Sequence, residues 1–180
     1  MPQALTLFNT DLETVHRYQA TTLDGTTSSR IGAVYDAPLR HSFIVTLPDI
    51  AELWEISYDA QAEPIYDGLV HDYRMAEGLA RPGYFGIRRT RLTAPLADLY
   101  FAQDYRNVIG ITRSAMDLTQ WNAYVINLDI RRAIAVLPLS APPAPDEELV
   151  VSSSSTTWRA APGSRQKILL RTRLASYCTP

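Results

Sequence analysis

Glu52–Gly68 reads ELWEISYDAQAEPIYDG, and its interpretation decides the fold. Trp54 and Ile56 alternate with Glu55 and Ser57, the period of a half-buried strand. Asp59 and a few polar residues follow, and then a second short apolar run. That order is a hairpin with the aspartate starting its turn.

Two other segments echo it: LTLFNTDLETVHRYQA (Leu5–Ala20) and AYVINLDIRRAIAVLPL (Ala123–Leu139). The aspartates are Asp11, Asp59 and Asp129, and an apolar residue stands three before each: Phe8, Ile56 and Ile126. A second echo precedes two of the hairpins. DAPLRHSFIVTL (Asp36–Leu47) and DYRNVIGITR (Asp104–Arg113) both run aspartate, turn, arginine, strand. The combined order of strand, Asp/Arg turn, strand, link, strand, Asp turn, strand is that of a four-stranded propeller blade.

Asp11 and Asp59 are 48 residues apart, close to the ~40–50 expected per blade. Asp59 and Asp129 are 70 apart, which allows an insertion of roughly 20 residues on that scale. The extra length is expected at about Met75–Gln103, between two blades. The fold class is therefore all-β: a partial β-propeller of about two to three four-stranded blades. A closed propeller needs roughly four to eight, so residues 1–139 read as a fragment or an assembly-dependent piece. An ordinary open antiparallel meander is the alternative.

Residues 140–180 differ in character. APPAPDEELVVSSSSTTWRAAPGSRQKILLRTRLASYCTP has a proline cluster, a serine run and a basic end. It reads as a low-complexity, disordered tail, or as a frame shifted past Leu139.

The residues richest in chemistry are DGLVHDYRMAEGLARPGYFGIRR (Asp67–Arg89), which join His71 and Tyr73 to Arg74, Arg88 and Arg89. Such a loop suits a large, flat, anionic ligand. Of the 17 basic residues only Lys167 is a lysine, and arginine is the better residue for forked pairing with carboxylates. The net charge of −2 argues against a nucleic-acid partner. Cys178 stands alone, with no disulfide framework or zinc pattern. No apolar run reaches the ~18 residues of a membrane span, and no export signal is visible. Nor is there a Ser/His/Asp order, an HExxH or a phosphate-binding glycine loop.

The segments from Ile31 to Thr90, AQDYRNVIGITR, VINLDIRRAIAVLPL and LFNTDLETVHRY together resemble the NirF-type heme d1 biosynthesis family, related to the d1 domain of dissimilatory nitrite reductase. LVHDYRM (Leu69–Met75) is the most specific block. The resemblance covers roughly Leu5–Leu139 and implies an eight-bladed parent, truncated here at both ends. It departs after Leu139, where APPAPDEELV stands in place of a glycine-rich segment with a second histidine.

The resemblance also implies a function in late heme d1 biosynthesis, with heme d1 or its dihydro precursor as the cofactor-like ligand. His71 becomes the candidate catalytic residue and a possible axial or distal metal ligand. Tyr73, Arg74, Arg88 and Arg89 become candidate cofactor-binding residues. Partners would be the tetrapyrrole and other d1 biosynthesis proteins or nitrite reductase. The compartment would be periplasmic by resemblance, with the cytoplasm as alternative. Other readings are a non-catalytic propeller scaffold and a broken reading frame without independent function.

For the rest, Arg40 and Arg106 are expected at equivalent turn positions with a structural role. Tyr73, Tyr84 and Phe85 either stack on a macrocycle or anchor the insertion. His41 reads as a strand histidine, His16 as exposed, and Trp54 as core.

Overall fold

The computed structural model describes residues 3–66, 80–102, 105–113 and 120–139, and the strand backbone at 150–151, 158–160 and 169–170. The chain divides into two compact units, Met1–Pro95 and Leu96–Pro180.

In the first unit, β1 (Ala4–Phe8) and β2 (Thr14–Gln19) form an antiparallel hairpin. β3 (Val34–Ala37), β4 (Ser42–Thr46), β5 (Glu52–Ser57) and β6 (Ile87–Arg91) form a four-stranded antiparallel sheet in sequential order. A 3-10 turn, Pro38–Arg40, joins β3 to β4. Antiparallel partners share a face, so Val45, Trp54 and Ile56 lie together. They pack with Tyr18, Ala20, Ile31, Leu47 and Ile50 as one core, joined by Leu5, Leu7 and Ile87. The alternation read from the sequence is thus a face buried under the hairpin.

In the second unit, β7 (Asp98–Ala102), β8 (Asn107–Arg113), β9 (Trp121–Asn127) and β10 (Arg132–Leu139) repeat the meander. Tyr100, Ile109, Ile111 and Ala123 form its core. β11 (Val150–Val151) pairs in parallel with β13 (Leu169–Leu170), and β12 (Trp158–Ala160) adds antiparallel to β7. The region read as a low-complexity tail therefore contributes a fifth strand to this sheet. The chain is all-β, built of the four-stranded antiparallel units of a partial propeller, as expected.

Three local expectations need correction. The hairpin partner of β5 is not the run after Asp59 but β6, about thirty residues later. The long connection lies inside the first blade, between its third and fourth strands, and the strands β6 and β7 fall within the stretch expected as an insertion at 75–103. The sequence of β6, IRRTR, is too charged to announce a strand. It is one because Arg89 and Thr90 are held by the sheet.

The turns also carry a cap two positions before the expected aspartate. Asn9 Oδ1 accepts from the amides of Asp11 and Glu13, at 3.0 and 2.8 Å. Ser57 Oγ accepts from the Asp59 amide at 3.2 Å. Asn127 Oδ1 accepts from the amides of Asp129 and Ile130, both at 3.1 Å. Each turn thus has a short polar side chain two before its aspartate, and at Asp59 the aspartate also caps as expected, its Oδ1 accepting from the Gln61 amide at 2.9 Å.

Third, His41 is not a strand residue. It precedes β4 with φ 49°, in the left-handed region, and its side chain is exposed.

Candidate functional site

The residues that frame the candidate loop belong to the first unit. Ile65 and Arg81 exchange both backbone hydrogen bonds, each at 2.9 Å. This two-bond bridge brings together the chain just before residue 66 and just after residue 80. Just past it, the Gly83 backbone presses against Ala62 and Glu63. A Cβ at Gly83 would lie 2.1 Å from the Glu63 carbonyl oxygen, so only glycine fits. Arg88 Nη2 donates to that same Glu63 carbonyl at 2.9 Å. The two arms of the loop base are thereby tied side to side.

Between Gly83 and β6 stand two aromatic rings. Tyr84 stacks on Phe85 with centroids 4.0 Å apart. Phe85 has φ 55°, a left-handed backbone that costs a bulky residue about 1–2 kcal/mol. Two hydrogen bonds hold it there. Its amide donates to the Ser57 carbonyl at 2.8 Å, and its carbonyl accepts from the Tyr18 hydroxyl at 2.7 Å. Burial pushes the Tyr18 hydroxyl pKa up to about 12, so it stays a donor at any ordinary pH. His16, one turn of the strand pleat before Tyr18, stacks 4.5 Å from that ring and 6.2 Å from Phe85.

The five expected site residues fare differently. His71, Tyr73 and Arg74 lie outside the described residues. Arg88 sits on β6 at the loop base, as above. Arg89 is mostly buried: Nη1 donates to Glu52 Oε2 at 2.6 Å and to the Thr21 carbonyl at 2.8 Å. Its guanidinium lies 4.7 Å over the Trp54 ring, and Trp54 Nε1 donates to the same Glu52 oxygen at 3.0 Å. Arg89 thus joins the core to β6, and its Nε is buried with no hydrogen-bond partner among the described residues.

A cleft of about 420 Å³, lined by Thr22, Leu23, Asp24, Glu52 and Arg91, opens beside this pair. Hydrogen bonds from Thr22 and then Thr26 hold the Asp24 carboxyl down at about 2. The cleft brings two acids and one arginine together, without a base or nucleophile among them. Among the described residues no cluster of three metal-ligating side chains occurs.

The sequence offers Tyr84 and Phe85 as a macrocycle stack or as anchors and His16 as exposed, and does not join the two rings in one turn with His16 beside them. The available signal was Gly83 and Gly86 bracketing two aromatics, which marks a tight turn that carries large side chains.

Three likenesses to known proteins accompany this geometry. Residues 1–68 match the Cytochrome D1 heme domain family. The chain is 34% identical over 116 residues to the dihydro-heme d1 dehydrogenase of Pseudomonas aeruginosa, covering 64% of this chain and 18% of that protein. It also resembles the solved structure of dihydro-heme d1 dehydrogenase NirN in complex with DHE, at 32% identity and a TM-score of 0.57. That likeness covers 79% of this chain and 25% of the solved one. The chain therefore spans a quarter or less of the relatives it matches.

Proposed function

We propose that this chain is part of a protein of late heme d1 biosynthesis and that it holds a d1-type tetrapyrrole or its dihydro precursor. The observation that carries the reading is the 32% identity and TM-score of 0.57 to a structure solved in complex with DHE. The finer placement with the NirF-type proteins rests on the Leu69–Met75 block alone.

The residues of the loop base fit a flat, anionic group. Rings for its face and guanidinium groups for its carboxylates stand within the short run from Arg81 to Arg89. His71 is the proposed acid–base or metal-ligating group, its ordinary pKa near ~6.5 suiting proton transfer at neutral pH. Tyr73, Arg74 and Arg88 are the proposed contacts to the ring and its carboxylates. Arg89 supports the site through the sheet, its own Nη1 being engaged by Glu52 and Thr21. When bound, the tetrapyrrole supplies the redox-active ring and iron; the chain supplies orientation, charge neutralisation and a proton at the His71 imidazole.

The test is reconstitution of the chain with dihydro-heme d1, read in the visible spectrum. Binding shifts the bands, and His71→Ala alters the bound spectrum while Arg74→Ala weakens the affinity. A bound spectrum identical in His71→Ala would remove His71 from the site.

A further inference from the structure

The geometry points to a stacking site at Tyr84, whose outward ring face receives one face of a flat conjugated ring, backed by Phe85 and His16. This inference rests on the tetrapyrrole reading and deepens it, choosing the stacking role for Tyr84 over the anchoring one and adding His16.

Three observations carry it. First, Tyr84 is the open end of a stack. One face of its ring is covered by Phe85 at 4.0 Å, yet the residue remains 44% exposed. A large part of its surface is therefore open. Second, the backbone of Phe85 is left-handed, at φ 55°, where glycine would be free of strain. The chain keeps a bulky aromatic there, locked by the bonds to Ser57 and Tyr18. Backbone strain that is over-determined by its surroundings points to a use for the strained side chain. Third, Arg81 and Arg88 lie three residues to either side of the pair in the chain, and the His16 ring lies 6.2 Å from Phe85. Offset stacking of extended rings is favourable, and a ring rimmed with carboxylates gains from neighbouring guanidinium groups.

The occupant this chemistry selects is a planar conjugated ring with an anionic rim. A peptide aromatic would lack the rim, and a nucleic acid would need the strongly basic surface that this chain lacks.

The experiment titrates the full chain with two probes: a free-base porphyrin dicarboxylate, and a perylene tetracarboxylate as a flat anion that is not a tetrapyrrole. Absorbance gives the affinity, and ring-current shifts of the Tyr84 ring protons give the place. Tyr84→Ala is expected to weaken binding about five- to tenfold, Tyr84→Phe to restore it, and Phe8→Ala, an exposed aromatic on β1, to leave it unchanged. Phe85→Gly removes the ring and relieves the backbone together. It should keep the chain folded and weaken binding as Tyr84→Ala does. Affinities for both probes that are unchanged in Tyr84→Ala and Phe85→Gly would overturn the stacking site while leaving the tetrapyrrole reading intact. Tyr84-dependent binding of the perylene but not of the porphyrin would uphold the stack and overturn the tetrapyrrole reading. No binding of either probe would overturn both.

Discussion

His41 and Arg106 hold the same place in their two sheets. Each stands immediately before the second strand of its meander. Each offers its carbonyl to the amide of the first residue after the facing strand, His41 to Tyr58 at 2.8 Å and Arg106 to Leu128 at 2.9 Å. Each then points its side chain at the turn aspartate. His41 Nδ1 lies 3.9 Å from Asp59, and Arg106 Nε lies 2.9 Å from Asp129. Sequence spacing instead paired Arg106 with Arg40. Arg40 is one residue earlier and bonds Glu55 Oε1 at 2.8 Å, beside Ser42 at 2.9 Å. The repeat is real, and its register is one residue different.

From this the first prediction follows. The turn after β9 should depend on its cap Asn127 more than on Asp129. Asn127→Ala removes the acceptor for two amides and the bond to Asn107, and should destabilise by about 1–2 kcal/mol. Asp129→Ala removes the exposed ion pair with Arg106, worth about 0–1 kcal/mol. Urea unfolding followed by circular dichroism measures both. An equal or larger loss in Asp129→Ala would return the turn to the aspartate.

A second prediction concerns Arg89 and Glu52. Arg89→Met strands a mostly buried carboxylate beside Trp54, and should cost about 3–5 kcal/mol. Removing both charges, with Glu52→Leu added, should recover most of that loss, because the pair and an apolar replacement are energetically close. Trp54 fluorescence during denaturation reports on this unit directly. A single variant as stable as the wild type would show that Arg89 is not a core residue.

Stability should also fall in alkali through Tyr18. The folded pKa of about 12 stands above the ordinary value of 10.0 because burial disfavours the phenolate. The contribution is therefore complete below pH ~10 and is lost as the pH rises from there through ~12. Tyr18→Phe should lose about 1 kcal/mol at neutral pH, for the missing bond to the Phe85 carbonyl. It should also show a flatter decline over that window. A decline as steep as the wild type's would assign the alkaline loss to other groups.

Much of the fold was legible in the sequence and much of the site was not, for separable reasons. The β1–β2 and β9–β10 hairpins could be read because an uninterrupted alternation of apolar and polar residues leads into a short turn. β6 could not. Its residues Ile87–Arg91 place three arginines in five positions, a pattern that belongs to a loop unless each charge has a partner, and the partners Glu52 and Glu63 are distant in sequence. The same absence of local signal hid the stack. Tyr84 and Phe85 were visible as aromatics, but the left-handed backbone of Phe85 and its bond to Tyr18, 67 residues away, arise only from the tertiary fold. Arg88 and Arg89 were singled out together as ligand contacts, although adjacent strand residues point to opposite faces. The sheet turns Arg89 onto Trp54 and leaves Arg88 at the loop base.

The most direct measurement is a fluorescence titration of the full chain with dihydro-heme d1. Trp54 and Trp121 lie one in each unit, and a bound tetrapyrrole absorbs where they emit. A saturable, stoichiometric quench that His71→Ala, Arg74→Ala and Tyr84→Ala each shift to higher ligand concentration is the predicted result. A linear, non-saturating decrease, identical in the wild type and all three variants, would contradict the assignment of a tetrapyrrole to this chain.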